Sequence, residues 1–331
     1  MTDNITMTHG SGGRQMHNLI HDHLISRLQN GILEKLDDSA RLQNANTDRL
    51  AMTTDSYVVS PLFFKGGDIG RLCVCGTVND LATSGAEASY LSLAFILEEG
   101  FPLDDLKKII DSIAETAKEA DVKIVTGDTK VVEKGKGDGI YINTCGIGFI
   151  PDGVNLSTYN GAPGDLIAVT GSIGNHETAL MLARNLLKFD TSISSDAAPL
   201  NKKISRLLKL TKGIKTVKDP TRGGLASALS EIAEHSNCEI ILQEDKIPVD
   251  KDVQAVCELA GLDPLFLANE GKYVIVCDPS SADAITQVFP KAEFIGEITD
   301  KQPKGRLLIE TVSGGLRKIG MLETAQLPRI C

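Results

Sequence analysis

Between Pro151 and Pro163 the chain passes through Asp152-Gly153-Val154-Asn155-Leu156-Ser157-Thr158-Tyr159-Asn160-Gly161-Ala162, and this break constrains the fold more than any other stretch. Proline and glycine at this density stop both helices and central strands. The break therefore reads as a junction between two units. With 331 residues, each side is long enough to bury its own core. The division is placed at 155/156, giving units 1–155 and 156–331. Neither side alternates strand and helix with the steady beat of a parallel sheet, so the expected class is α+β in both.

The apolar periodicities give the expected elements. A helix carrying His17, Leu19, Ile20, His21, His23 and Leu24 follows the opening His9-Gly10-Ser11-Gly12-Gly13. Strands are predicted at 50–59, 90–97 and 122–125, and at 141–150. Ile69 to Ala82 reads as a buried helix, and Leu103, Leu106, Ile110, Ile113 and Ala117 mark an amphipathic one. In the second half, strands are expected near 166–170, 240–242, 273–277, 294–298 and 307–310. Helices are expected near 175–187, 198–210, 225–234, 253–260 and 282–288.

A net charge of −10 argues against nucleic acid or an anionic membrane surface as partner. No apolar run is long enough to span a bilayer, and Met1-Thr2-Asp3-Asn4 does not begin a signal peptide. Seven scattered cysteines, with Cys73 and Cys75 as C-x-C in an apolar segment, indicate a reduced, cytoplasmic chain with buried thiols.

The motifs for common nucleotide chemistry are missing: there is no G-x-x-x-x-G-K-S/T loop and no strand followed by G-x-G-x-x-G. What remains is a set of aspartates at the ends of apolar segments: Asp38, Asp55, Asp80 and Asp128. One such aspartate is usually a turn former or a cap. Several, beside the Gly-rich loops at Gly66-Gly67 and Gly10–Gly13, suit a polyphosphate bridged by a hard cation such as Mg²⁺. The residues alone leave both readings open. The same holds for Asp219-Pro220-Thr221-Arg222-Gly223-Gly224, a helix cap or a phosphate loop, and for Asn269-Glu270-Gly271-Lys272, a turn or a source of a catalytic carboxylate. His17 and His21 stand one turn apart, a spacing that can bind metal but lacks an obvious third ligand.

The chain ends on Leu327-Pro328-Arg329-Ile330-Cys331. The cysteine is last rather than fourth from last, so this is not a prenylation signal. A frayed end is one reading; the other is a mobile thiol, stiffened by Pro328 and accompanied by the Arg329 fork, that enters and leaves a pocket.

Taken in order, these segments resemble the HypE family of hydrogenase maturation proteins over essentially the whole chain, most specifically at Pro328-Arg329-Ile330-Cys331. The resemblance also rests on Thr54-Asp55-Ser56-Tyr57-Val58-Val59, Gly76-Thr77-Val78-Asn79-Asp80 and Gly127-Asp128-Thr129-Lys130-Val131-Val132. It implies the two-domain fold shared with PurM, the aminoimidazole ribonucleotide (AIR) synthetase, in which the N-terminal domain dimerises into a shared β-barrel. It implies ATP and Mg²⁺ held without a P-loop by Asp55, Asp80 and Asp128, with Asp38 as a fourth carboxylate. Lys65, Gly66, Gly67, Thr77, Asn79, Gly127 and Arg222 would line the nucleotide site. Lys65 departs from the proline usual in the family. The implied reaction is ATP-dependent dehydration of a carbamoyl group on Cys331 to a thiocyanate, with Lys130 and Glu270 as catalytic residues. The implied partners are a second copy of the chain, the carbamoyltransferase HypF and the HypC–HypD complex. Two rivals stand beside it. One is another enzyme of the superfamily, although selenophosphate synthetase needs an early reactive cysteine and the first here is Cys73. The other is a nucleotide-binding scaffold that only presents Cys331.

Overall fold

The computed structural model describes residues 14–19, 21–22, 35, 40–43, 49–186, 191–322 and 327–331. The first half builds on β1 (Ala40–Gln43), β2 (Arg49–Tyr57), the hairpin of β3 (Phe63–Phe64) and β4 (Gly67–Asp68), β5 (Glu87–Glu98), β6 (Lys123–Val132) and β7 (Ile140–Ile150). Its main sheet has the order β1-β2-β7-β5-β6. The second half contributes β8 (Leu166–Val169), β9 (Ile214–Lys218), β10 (Cys238–Gln243), β11 (Val274–Cys277), β12 (Glu293–Lys301), β13 (Arg306–Glu310) and β14 (Leu316–Ile319). They form a second sheet in the order β14-β13-β10-β12-β8-β11-β9. Among the named strands, parallel pairing is limited to β5 with β6 and β10 with β13. Mostly antiparallel sheets with helices on them make both halves α+β.

The Ile69–Thr83 helix starts where Asp68 caps it, accepting from the backbone N–H of Gly70 at 2.7 Å and Arg71 at 3.0 Å. It is buried nearly all round, as its mostly apolar sequence favours, with Arg71 and Asp80 the charged residues in it. Close packing depends on glycine at one position above all: a Cβ on Gly76 would lie 2.3 Å from the Tyr57 hydroxyl. The Leu103–Ala120 helix buries Ile109, Ile113, Thr116, Ala117 and Ala120. Leu103 and Ile110, predicted for that stripe, face outward instead. Ile113 and Ala117 of the predicted stripe are buried and Leu106 packs against the core, so the spacing gave the helix and most of its inner face.

Three other expectations change. The segment predicted as a strand ending at Val125 continues to Val132, so Thr126 to Lys130 lie inside β6 rather than in a loop. Pairing with β5 carries it on, and Gly127 permits the approach, since a Cβ there would meet the Leu93 carbonyl at 2.2 Å. Strands β9 and β14, Ile-Lys-Thr-Val-Lys and Leu-Arg-Lys-Ile, were too short and too charged to stand out. The tail, expected to be a mobile end, is docked: Val58 N–H donates to the Cys331 carbonyl at 3.0 Å, and Ile330 is buried in the first half's core.

The two halves share a core. Ala51, Leu81, Ala82 and Ala86 of the first pack with Leu200, Ile204, Leu207, Tyr273 and Ile275 of the second. Asn79 crosses this junction: its amide donates to the Ala198 carbonyl at 3.0 Å, and its Oδ1 accepts from Leu200 N–H at 2.8 Å. Its own carbonyl accepts from the Tyr273 hydroxyl at 2.9 Å. No helix among the described residues is long and apolar enough to cross a membrane. Because Asn79→Ala leaves two buried backbone groups without partners, it should lower stability by about 2 to 4 kcal/mol. Urea unfolding checks this, and an unchanged midpoint would contradict the clamp.

Candidate functional site

Asp55 lies near the end of β2, where the strand turns its alternate side chains toward the Ile69–Thr83 helix. Its Oδ2 accepts from the Tyr57 hydroxyl at 2.9 Å, and its Oδ1 from Ser56 N–H at 3.1 Å. Tyr57 is fully buried and is braced in turn by Thr77, 3.4 Å away. Thr77 is committed to this packing, donating to the Cys73 carbonyl at 2.9 Å and touching Thr144. Asp80, one turn further along the helix, accepts from the Thr53 hydroxyl at 3.0 Å.

The second half supplies the opposite wall. Asn269 ties two loops together: its Oδ1 accepts from Gly174 N–H at 2.8 Å, and its amide donates to the Pro220 carbonyl at 3.1 Å. Asp196 then holds the turn, accepting from the N–H of Glu270 at 3.1 Å and of Gly271 at 3.3 Å, and pairing with Lys272 at 3.0 Å. A Cβ on Gly271 would strike the Asp196 carbonyl at 1.8 Å, so the turn requires glycine there. Glu270 is left buried, 4 % exposed.

Charge links the two walls. Burial lifts the Glu270 carboxyl well above the usual carboxylate range; Asp219, Asp55 and Asp196 add to the shift and Arg222 opposes it. Burial also raises Asp55, again against Arg222. Arg222 in turn is favoured as a cation first by Cys331, then by Asp55, Glu270 and Asp80. The Cys331 thiol is half-buried in the same field, pushed up to about 12 by burial with Arg222 pulling the other way. Asp55, Asp80, Asp219, Glu270, Arg222 and Cys331 are therefore one electrostatic group.

Other predicted site residues lie elsewhere. Asp128 and Lys130 are exposed on β6, where the Lys130 ammonium sits 2.6 Å from both carboxylate oxygens of Asp128. The sheet register runs Asp55 to Thr144, Thr144 to Leu93 and Leu93 to Gly127. Three strand spacings separate β2 from β6, about 14 Å, so the structure does not bring Asp128 or Lys130 to Asp55 within one chain. Lys65 donates to the Thr191 carbonyl at 3.1 Å. Gly66, at φ +94°, packs on the backbone of Ser195, and Gly67 packs against Phe64. Asn79 spends its amide on the junction, and Gly127 serves strand pairing. Asp38 and the opening Gly-rich segment lie outside the described residues. His17 pairs with Glu231 at 3.2 Å and His21 with Asp22 at 3.1 Å, so the two histidines do not share a site.

Among the described residues, no three His, Cys, Asp or Glu side chains stand close enough to form a metal cage. That fits Mg²⁺ on a nucleotide, which takes one or two carboxylates and fills its shell with phosphate and water oxygens. Burial lifts Asp55 and Glu270, with carboxylate neighbours adding to the shift at Glu270, and a bound cation would favour their ionised forms. Tyr57 and Asp219 lie within the quoted motifs, but nothing in the sequence marks them as functional. Asp196, His176 and Arg184 carry no motif signal.

The family models for AIR synthase related proteins match in order, the N-terminal domain over residues 36–150 and the C-terminal domain over 162–307. The carbamoyl dehydratase HypE of Cupriavidus necator is 46% identical, over 99% of this chain and 95% of its own. Among solved structures, that of a HypE–HypF complex superposes with a TM-score of 0.86 at 46% identity, covering 92% of this chain and 99% of that one. A HypE solved in complex with ATP gives a TM-score of 0.82 at 42% identity, covering 99% of this chain and 100% of that one. With both domain models in sequence and such identity along nearly its full length, the chain belongs to the HypE carbamoyl dehydratase family, on a fold of two AIR synthase related domains.

Proposed function

We propose that this protein is an ATP-dependent carbamoyl dehydratase whose substrate is its own C-terminal Cys331, acting in the cytoplasm in hydrogenase maturation. The observation that carries this reading is the docked tail, which puts the Cys331 thiol into the field of Arg222, Glu270, Asp55 and Asp219. A HypE relative solved with ATP and the dehydratase names of similar proteins support it.

In this reading the thiol arrives already carrying a carbamoyl group. The carbamoyl oxygen is a poor leaving group until it accepts the γ-phosphoryl group of ATP. The C–O bond then breaks, the oxygen departs within phosphate, and the nitrogen loses both protons to give –S–C≡N. Carbamoyl thioester and ATP become thiocyanate, ADP and phosphate, so the atoms balance without free water. Arg222 offsets charge on the transferring group, as phosphoryl transfer requires. Glu270 takes an N–H proton: burial and carboxylate neighbours make its conjugate acid stable, the property of a competent base. Mg²⁺, held by Asp55 and Asp80 with the nucleotide's own oxygens, would supply electrostatic stabilisation. The product is a cyanide donor for the iron centre of a nickel–iron hydrogenase. HypF would load the thiol and HypC–HypD would receive the product; a HypE relative solved with HypF supports the first pairing.

Asp128 and Lys130 enter this reading from a second copy. One face of the first sheet exposes Met52, Tyr90, Ile96 and Phe149, and the edge strand β6 exposes Ile124, Val125 and Val131. Such a face and edge need covering. A homodimer closing these sheets into a shared barrel would cover them and could carry Asp128 and Lys130 to the partner's nucleotide. Units 1–155 and 156–331 would then be the nucleotide-binding, dimerising half and the half that bears the tail.

Two outcomes follow. Phosphate release should require both ATP and carbamoylated Cys331, and its single-turnover rate should climb with pH, because Glu270 must lose its proton to act. The midpoint should lie above the ordinary carboxylate range, and Glu270→Gln should be slow and flat. A scaffold would release no carbamoyl-dependent phosphate at any pH. In hybrid dimers, mixing inactive Asp128→Ala chains with inactive Cys331→Ala chains should restore dehydration at the intact thiols. No recovery would remove the cross-dimer role of Asp128.

A further inference from the structure

The Asn175–Ala183 helix and the residue after it, Arg184, donate hydrogen bonds to the tail's main chain, while Arg329 Nε donates to the Val58 carbonyl at 2.9 Å and the Ile330 side chain is buried. The Pro328 carbonyl accepts from Arg184 Nη1 at 2.8 Å, and the Arg329 carbonyl from Arg184 Nη2 at 2.5 Å. The Ile330 carbonyl accepts from His176 Nε2 at 2.7 Å, and the Cys331 carbonyl from Val58 N–H at 3.0 Å. Four consecutive carbonyls thus each have a donor. Arg329 sits at φ +58°, the left-handed region that a long side chain rarely adopts, and the Arg184 guanidinium fork takes the carbonyls before and after its Cα. Arg184 Nε also donates to the Ser60 carbonyl at 2.6 Å, which fixes the fork in place.

The donor at His176 is set by what lies behind it. Ala197 N–H donates to the Ser195 hydroxyl oxygen at 3.1 Å, so that hydroxyl is oriented to donate to His176 Nδ1, 2.7 Å away. Nδ1 is then the acceptor and Nε2 carries the hydrogen, aimed at the Ile330 carbonyl. The Ser195 N–H donates to the Lys65 carbonyl at 2.8 Å, and Gly66 packs directly on the Ser195 backbone. One chain of contacts therefore runs from the Lys65-Gly66 loop through Ser195 and His176 to the tail.

We propose that His176 and Arg184 are positioning residues that dock the C-terminal tail through its carbonyls, so that one dock presents residue 331 whichever group its sulfur carries. None of these contacts touches the sulfur, so thiol, carbamoyl and cyanate forms meet the same donors. The left-handed Arg329 is released when the contacts break, which makes the docked state dependent on them. Tail release is then governed by the dock and by the Ser195 segment behind it. The proposal deepens the dehydratase reading and rests on it only for its catalytic consequence.

The test uses the full chain with His176→Ala, Arg184→Ala and the conservative Arg184→Lys, each checked for folding by circular dichroism and for ATP binding by calorimetry. The first readout is the rate at which iodoacetamide labels Cys331, located by peptide mapping, together with trypsin cleavage after Arg329. Losing a charge-assisted fork should raise the labelling rate about tenfold or more in Arg184→Ala, with Arg184→Lys between it and the wild type. The second readout is single-turnover dehydration of the carbamoylated chain, which should fall by a similar factor while ATP affinity stays unchanged. Folded His176→Ala and Arg184→Ala chains that label at the wild-type rate would overturn the dock. Faster labelling with an undiminished dehydration rate would overturn the positioning role. If the wild type itself failed to dehydrate, the dehydratase reading would fall, and labelling would still decide whether the dock exists.

Discussion

Arg222 is the counter-charge on which the site depends. Asp55, Asp80 and Glu270 come from different segments of both halves; Arg222 opposes the burial that lifts Asp55 and Glu270, and all three carboxylates favour its charge. The same guanidinium lies in the field of the Cys331 thiol, so the end of the chain completes the group rather than hanging beyond it. Burial decides the balance: for Glu270 and Cys331 the desolvation cost exceeds the help from Arg222, and both favour their neutral forms. A site in that condition suits a nucleotide whose phosphate charge is partly offset by a bound cation, and an uncharged substrate.

The supports around this group are buried side chains that bond to one another and to the backbone. Tyr57 and Thr77 fix Asp55, and Asp196 and Gly271 fix the turn that carries Glu270. Asn79 welds the two halves at the level of the site, its amide also lying 3.4 Å from the Glu270 carbonyl. The geometry of one wall is therefore tied to the other, and the tail spans both through Val58 on one side and His176 on the other. Positioning of this kind is what intramolecular chemistry exploits.

Much of this was legible in the sequence. The buried helix of residues 69–83 and the alternating strand β7 announced themselves, because a mostly apolar run and a period of two are strong signals. Asp55, Asp80, Arg222, Glu270 and Cys331 were found as motif residues, and the fold brings them together. What could not be read was set by topology and main chain. The order β2-β7-β5-β6 separates Asp55 from Asp128, and nothing in a linear sequence gives strand order. Much of the docking of residues 328–331 uses carbonyls, which every residue has, and the Arg329 and Ile330 side chains that add to it do not mark it in the sequence. Asn79 and Thr77 lay in the right motif, but their hydrogen bonds serve the junction and the Tyr57 brace. The Leu103–Ala120 helix buries Ile109 beside the Ile113 and Ala117 of the apolar spacing, in the same core as the Ile69–Thr83 helix.

The most direct measurement is the mass of the intact chain, followed by peptide mapping, after loading by a carbamoylating partner and then addition of ATP. The account predicts a carbamoyl adduct on Cys331 and then the loss of one water from that same residue, with neither change in Cys331→Ala. An adduct mapped to Cys73, Cys75, Cys145, Cys238, Cys257 or Cys277, or water lost by the Cys331→Ala chain, would contradict it.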